Sequence, residues 1–235
     1  MKRVPQYRSS QAEIPDEINF KVFIQARMSS RRFPGKMLAP FAGRPLIAWL
    51  VDRIGAVVGA ERLVIATSID KTDDPLTYYV ERLGYQVFRG SLEDVFFRYQ
   101  ECLREFPTDW IVRICGDSPL LDPGLIGLLA ADCLPDVDLV TNVAVRSYPP
   151  GQSVEILNAH TLAGIDHTLL DPREKEHPTQ FFYRRPERFC IRNRIGTNVD
   201  WPHMSFVVDT LDDLRRLESV VVAGELPVFS AGPAA

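Results

Sequence analysis

The sequence predicts a three-layer α/β fold built around a mostly parallel sheet, and three observations carry that expectation. Short β-branched or aromatic runs alternate with longer segments whose apolar residues recur at helical spacing, from residue 20 to Asp122-Pro123. That rhythm belongs to βαβ units. The runs are mostly apolar rather than alternating, as strands covered on both faces are. The 235 residues, 46% hydrophobic and 25% charged, have an ordinary soluble composition and suffice for one large domain.

Residues 1–19 are polar and proline-containing and read as a mobile leader. Phe20-Lys21-Val22-Phe23-Ile24 is the first strand. A helix over 45–58 follows from Leu46, Ile47, Leu50, Val51, Ile54, Val57 and Val58, with Pro45 in its first turn. Leu63-Val64-Ile65-Ala66 is the next strand, and Asp73-Asp74-Pro75 reads as an N-cap with proline at N1, opening a helix over 76–83. Val87-Phe88 is a short strand, Ser91-Leu92-Glu93-Asp94 is close to a capping box, and the helix it opens runs over 95–106. Trp110-Ile111-Val112-Arg113-Ile114 is the fourth strand. Beyond Asp122-Pro123, another cap-and-proline start, the rhythm changes. Residues 138–145 and 152–157 read as strands about the Tyr148-Pro149-Pro150-Gly151 turn, and 159–169 and 173–184 as helices. Ser205-Phe206-Val207-Val208 then returns to the sheet, Thr210 with Asp213 caps a last helix to 222, and 230–235 is a tail. Residues 20–229 thus form one domain, with an excursion at about 138–194 that supplies the second wall of a cleft or a contact between copies.

The loop after the first strand concentrates the chemistry. Arg27, Arg31, Arg32 and Lys36 lie within ten residues, together with Ser29, Ser30 and a Pro34-Gly35 turn. Four cations at the end of a buried strand repel one another unless an anion sits among them, and a polyphosphate suits that place. The position agrees, because ligands of open α/β sheets gather at the carboxyl ends of strands. Gly116-Asp117-Ser118-Pro119 follows the fourth strand and Val207-Val208-Asp209-Thr210 ends a late one, so two carboxylates face the same edge. Two carboxylates completed by substrate phosphates and water are how Mg²⁺ is held. Each also has a plainer reading, Asp117 as a turn former and Asp209 as the lead-in to a capped helix.

These strings resemble a known family. Ala26-Arg27-Met28-Ser29-Ser30-Arg31-Arg32-Phe33-Pro34-Gly35-Lys36, followed by Phe41-Ala42-Gly43-Arg44-Pro45-Leu46-Ile47-Ala48-Trp49, is similar to the N-terminal signature of the CMP-sugar synthetases. That family comprises the acylneuraminate and 3-deoxy-manno-octulosonate cytidylyltransferases, with the spore-coat polysaccharide F type as the nearest branch. The resemblance implies a nucleotide-diphospho-sugar transferase-like fold and CMP transfer from CTP to a sugar acid or related acceptor, with release of pyrophosphate. It assigns the triphosphate to Arg27, Ser30, Arg32 and Lys36, Mg²⁺ to Asp117 and Asp209, and the pyrimidine base to Ala66, Thr67 and Ser68. Phe88-Arg89-Gly90-Ser91-Leu92-Glu93-Asp94-Val95 resembles the spore-coat branch in particular. Gly151-Gln152-Ser153-Val154-Glu155 departs from the branch, with Ser153 in place of a carboxylate, while Glu155 is kept as an acceptor contact. Arg173-Glu174-Lys175-Glu176-His177 is similar to the branch's Arg-Glu-His segment with an extra Lys175 or a shifted register, and His177 reads equally as an acceptor contact or base and as a packing or dimer-contact residue.

Other classes are excluded or disfavoured. A net charge of −4 with only local cations does not suit wholesale nucleic-acid binding. The four cysteines have no C-x-x-C pair, which fits cytoplasmic thiols rather than a zinc site or a disulfide framework. No run approaches the ~20 apolar residues that span a bilayer. A glycosyltransferase on the same fold would show an Asp-x-Asp motif, and an idle nucleotide-binding subunit would not need both carboxylates and every loop cation. Tyr148, Phe181, Phe182, Tyr183 and Phe189 in the excursion suggest a homodimer interface, as the resemblance also implies.

Overall fold

The computed structural model describes residues 14–15, 17–196, 204–224, 226 and 231–234, so most of the expected leader and the stretch around His203 lie outside the described residues. The strands are β1 (Phe20–Gln25), β2 (Pro40–Phe41), β3 (Arg44–Pro45), β4 (Leu63–Ser68), β5 (Gln86–Gly90), β6 (Trp110–Cys115), β7 (Leu139–Thr141), β8 (Glu155–Asn158), β9 (Ile191–Gly196) and β10 (Ala231–Ala234). The helices are α1 (Leu46–Val58), α2 (Asp74–Arg82), α3 (Val95–Glu105), α4 (Gly124–Ala130), α5 (Ala159–Ala163), α6 (Pro172–Glu176), α7 (Gln180–Tyr183) and α8 (Leu211–Ala223).

Eight strands form one sheet in the order β10-β9-β7-β8-β6-β1-β4-β5, with β2 and β3 pairing as a separate ribbon. β1 pairs in parallel with both β4 and β6, while β8 is antiparallel to its two neighbours and β10 to β9. The sheet is therefore mostly parallel, as expected. Successive residues of each strand point to opposite faces, which explains why apolar runs serve here. Val22, Ile24, Leu63, Ile65, Val112 and Ile114 pack on one side with α1, α4 and α8, whereas Phe23, Val64, Ala66 and Ile111 pack on the other with α3, α5 and α7. That is the three-layer arrangement.

Several local expectations are corrected. The helix expected over 173–184 is split into α6 and α7, because Pro178 forces His177 out of the helical region, at φ −125° and ψ 85°. The strand expected over 138–145 is only the three residues of β7, and the helix expected over 159–169 ends at Ala163. Residues 204–209 do not rejoin the sheet: Phe206 N donates to Pro150 O at 2.7 Å and Val208 N to Asp117 O at 2.9 Å, so this segment docks on turns at the strand ends. Residues 231–234, expected as tail, pair with β9. The excursion's rings are no spare surface, since Tyr148, Phe181, Phe182 and Phe189 are each at most 8% exposed within the chain's own core.

Candidate active site

The sheet order reverses between β1 and β6, because the chain runs from β1 to β4 and β5 on one flank and from β6 to the remaining strands on the other. Such a switch point leaves a crevice at the carboxyl ends of the strands. Both neighbouring loops fill it closely. Gly116 N donates to Gln25 O at 2.8 Å, and a Cβ at Gly116 would lie 3.0 Å from both Gln25 O and the Ala26 methyl. A side chain there would push the Asp117 turn away from the basic loop.

The basic loop is shaped from within and pinned from outside. Gly35 N donates to Met28 O at 2.8 Å, and Gly35 adopts φ 76°, a left-handed conformation that turns Lys36 inward. The N-cap expected immediately before Pro75 falls one residue earlier, at Asp73, which makes no capping bond there. Fully buried, it accepts Met28 N at 2.6 Å, Ser68 N at 3.1 Å and the Ser68 hydroxyl, and so ties the loop to the end of β4. The sequence shows only an aspartate before a helix; its inward role depends on a contact 45 residues away.

Lys36, Asp117 and Asp209 meet. Lys36 is 5% exposed, and its ammonium donates to Asp117 Oδ2 at 2.9 Å, Val208 O at 2.8 Å and Asp209 Oδ1 at 3.2 Å. Arg32 Nη2 lies 2.7 Å from Asp209 Oδ2. The Thr210–Asp213 capping box does form, and it delivers Asp209 to the cluster rather than competing with that role. Arg27 Nη2 pairs with Glu176 Oε1 of α6 at 3.2 Å, and Arg31 is exposed. The anions that the loop cations require are thus supplied in part by the chain's own carboxylates. Ser30, half-buried, accepts Phe33 N through its hydroxyl at 3.4 Å.

Two groups of expected contact residues are buried. Ala66, Thr67 and Ser68 are all fully buried; Arg89 Nε donates to Ser68 O at 2.9 Å, and Ile69 is the exposed residue beside them. Glu155, 3% exposed, pairs with Arg113 Nη1 and accepts the Tyr183 hydroxyl at 2.6 Å. Burial first, and then the Glu155 carboxylate, push the Tyr183 phenol far above its ordinary value, so it donates. Arg113 Nη2 donates in turn to Gln25 Oε1 at 3.1 Å. Glu155 is therefore a buried anchor of this network rather than a surface contact.

His177 is exposed at the rim, and its imidazole titrates below its ordinary value of 6.5 because surrounding protein desolvates the cation and Arg113 repels it. The unfolded chain then takes up this proton first as pH falls, so the wild type is expected to lose stability relative to His177→Gln below about pH 6.5. Urea titrations of both proteins at pH 7.5 and 5.5 measure that difference, and one independent of pH would show that His177 is not the source.

Comparisons with known proteins show the family. The family described as cytidylyltransferase matches residues 22–232. Spore coat polysaccharide biosynthesis protein SpsF of Bacillus subtilis is 32% identical over 218 residues, 88% of this chain and 89% of that protein. The 3-deoxy-manno-octulosonate cytidylyltransferase of Cytophaga hutchinsonii is 32% identical over 222 residues, with 86% of each chain covered. A solved cytidylyltransferase from Leptospira borgpetersenii superposes with a TM-score of 0.82 at 27% identity, covering 88% of this chain and 87% of that one. The match takes in the whole crevice from Arg27 to Asp209, and the chain belongs to the cytidylyltransferase family, on the nucleotide-diphospho-sugar transferase fold.

Proposed function

We propose that the protein transfers CMP from CTP to a sugar acid, releasing pyrophosphate, in the synthesis of a surface polysaccharide or glycoconjugate. The observation that carries this reading is the meeting of Arg32, Lys36, Asp117 and Asp209 at the switch point of a chain that spans the family. The acceptor oxygen attacks the α-phosphorus, and the bond to the bridging oxygen breaks with its electron pair leaving on pyrophosphate. Arg27, Ser30, Arg32 and Lys36 bind the triphosphate and offset charge on the leaving group. The cytosine is read at the end of β4, around Ala66, Thr67 and Ser68. His177, neutral near pH 7 by its lowered pKa, takes the acceptor's proton or orients it.

The donor set fits Mg²⁺. Asp117 and Asp209 converge within 3.2 Å of one point, and both donors are hard oxygens. Among the described residues no group of three or more His, Cys, Asp or Glu forms a fuller cage, which suits an ion that takes its remaining ligands from phosphate and water. When bound there, the ion would polarise the phosphate oxygens and neutralise their charge.

Pyrophosphate release with each nucleoside triphosphate against a panel of keto sugar acids, sugars and phosphonates tests the reading. CTP with a sugar acid is the expected pair; turnover only of a finished nucleotide sugar would make the protein a glycosyltransferase. Arg32→Ala is expected to weaken CTP about 10- to 100-fold, as a charge-assisted bond of ~1.5–3 kcal/mol would, and CMP far less. Calorimetry giving equal losses for both would point to a folding role for Arg32.

The free thiols Cys102, Cys115, Cys133 and Cys190 support placement in the cytoplasm, and no described helix is long and apolar enough to cross a membrane. We further propose a homodimer through residues 138–194, where Val145 and Leu169 stay 61% and 82% exposed. Light scattering should give twice the single-chain mass at micromolar concentration, and a single-chain particle would refute the dimer.

A further inference from the structure

We infer that Lys36 is a gate on the metal site: its ammonium holds the two metal-binding carboxylates until a triphosphate draws it away. The inference deepens the proposed CTP-binding function and rests on it. A lysine ammonium has three N–H groups and accepts nothing. In this structure all three are committed, to Asp117 Oδ2 at 2.9 Å, Val208 O at 2.8 Å and Asp209 Oδ1 at 3.2 Å, on a side chain almost closed off from solvent. Lys36 in this position has no donor left for a phosphate oxygen. It also sets a full positive charge between the two carboxylates that a divalent cation would use, and at such separations like charges repel strongly.

One ammonium therefore cannot serve both purposes at once. With Lys36 between the carboxylates, a metal ion meets a pair offset by both the ammonium and Arg32; with Lys36 drawn onto the triphosphate, the pair regains one negative charge and two free oxygens and takes the ion. Nucleotide and metal then bind with positive coupling, triphosphate first. The movement needs only the single bonds of the lysine side chain, since the backbone of Lys36 is held in the short helical turn that follows Gly35. Arg32, 68% exposed, stays on the outer oxygen of Asp209, where it can meet phosphate without leaving the crevice.

The test is manganese binding, with MnCl2 added alone and no nucleotide, followed by calorimetry. Lys36→Met and Lys36→Gln are each expected to bind Mn²⁺ about 5- to 150-fold more tightly than the wild type, the usual range of coupling between two sites. Adding Asp117→Asn to either variant should abolish the gain. Unchanged or weaker Mn²⁺ binding in variants that melt as folded proteins would overturn the gate and make Lys36 a permanent pin. If neither variant folds, the wild type decides, with its lysine ammonium groups labelled with ¹⁵N. CTP in the presence of EDTA should move the Lys36 signal, and a signal unmoved at saturating CTP would overturn the gate. Failure of CTP to bind at all would count against the proposed function instead, leaving the manganese titration to judge Lys36 separately.

Discussion

Asp117→Asn and Asp209→Asn are each expected to lower kcat at least about a hundredfold, since a bound divalent ion supplies several kcal/mol of charge stabilisation in the transition state. The fold should survive. The two side chains are 25% and 29% exposed, and after either change Lys36 keeps the other carboxylate and Val208 O as acceptors. Pyrophosphate release measured beside circular-dichroism melting separates chemistry from folding. A single variant that keeps magnesium-dependent turnover close to wild type would remove that residue from the metal site.

Glu155→Ala should act in the opposite sense, on stability before chemistry. The Arg113 and Glu155 side chains are 9% and 4% exposed, so removing the carboxylate leaves a buried guanidinium uncompensated and the Tyr183 hydroxyl without one of its partners. Breaking a buried pair in this way costs about 3–5 kcal/mol. For a chain of this size that is a fall in melting temperature of roughly 6–20 °C. Gln25, at the end of β1, shares Arg113 with Glu155, so the loss also loosens the strand that leads into the basic loop. Urea denaturation reads the effect directly. Wild-type stability with a raised acceptor KM would instead restore Glu155 to the role of an acceptor contact.

The difference between these two carboxylates marks how far the sequence could be read. Asp117 and Asp209 each end an apolar run, and the pattern placed both runs in the parallel sheet; Asp117 does follow β6, but Asp209 reaches the same edge on a segment outside the sheet, docked by Phe206 N on Pro150 O and Val208 N on Asp117 O. Glu155 stands on a strand whose direction the pattern did not reveal; antiparallel to β6, it pairs with Arg113 inside the sheet. Asp73 was illegible for a related reason. Asp-Asp-Pro is a sound helix start, but nothing in it shows that the first aspartate turns inward to the Met28 amide and the buried Ser68 hydroxyl. The broken helix at His177 was legible in principle, since Pro178 excludes the helical conformation at the residue before it. Aromatic content in 148–189 spoke for an interface, but the second face of the sheet needed covering, and Phe181, Phe182 and Phe189 cover it. Composition counts rings without saying which surface takes them.

The docking of residues 204–209 has a bearing on how the protein is made. The bond from Lys36 to Asp209 joins groups 173 residues apart, and the segment bearing Asp209 is fastened by Phe206 to Pro150 and by Val208 to Asp117, outside any ladder of strands. A chain leaving the ribosome completes β1 through β9 before residue 204 emerges, so seven of the eight strands of the sheet can pair while the crevice still lacks one wall. Contacts of such long separation form late. Segments held by few backbone bonds also open at lower free energy than the sheet beneath them. Release of this segment would uncover Phe206 and Val208, both fully buried in the core, and would part Asp209 from Lys36 and Asp117.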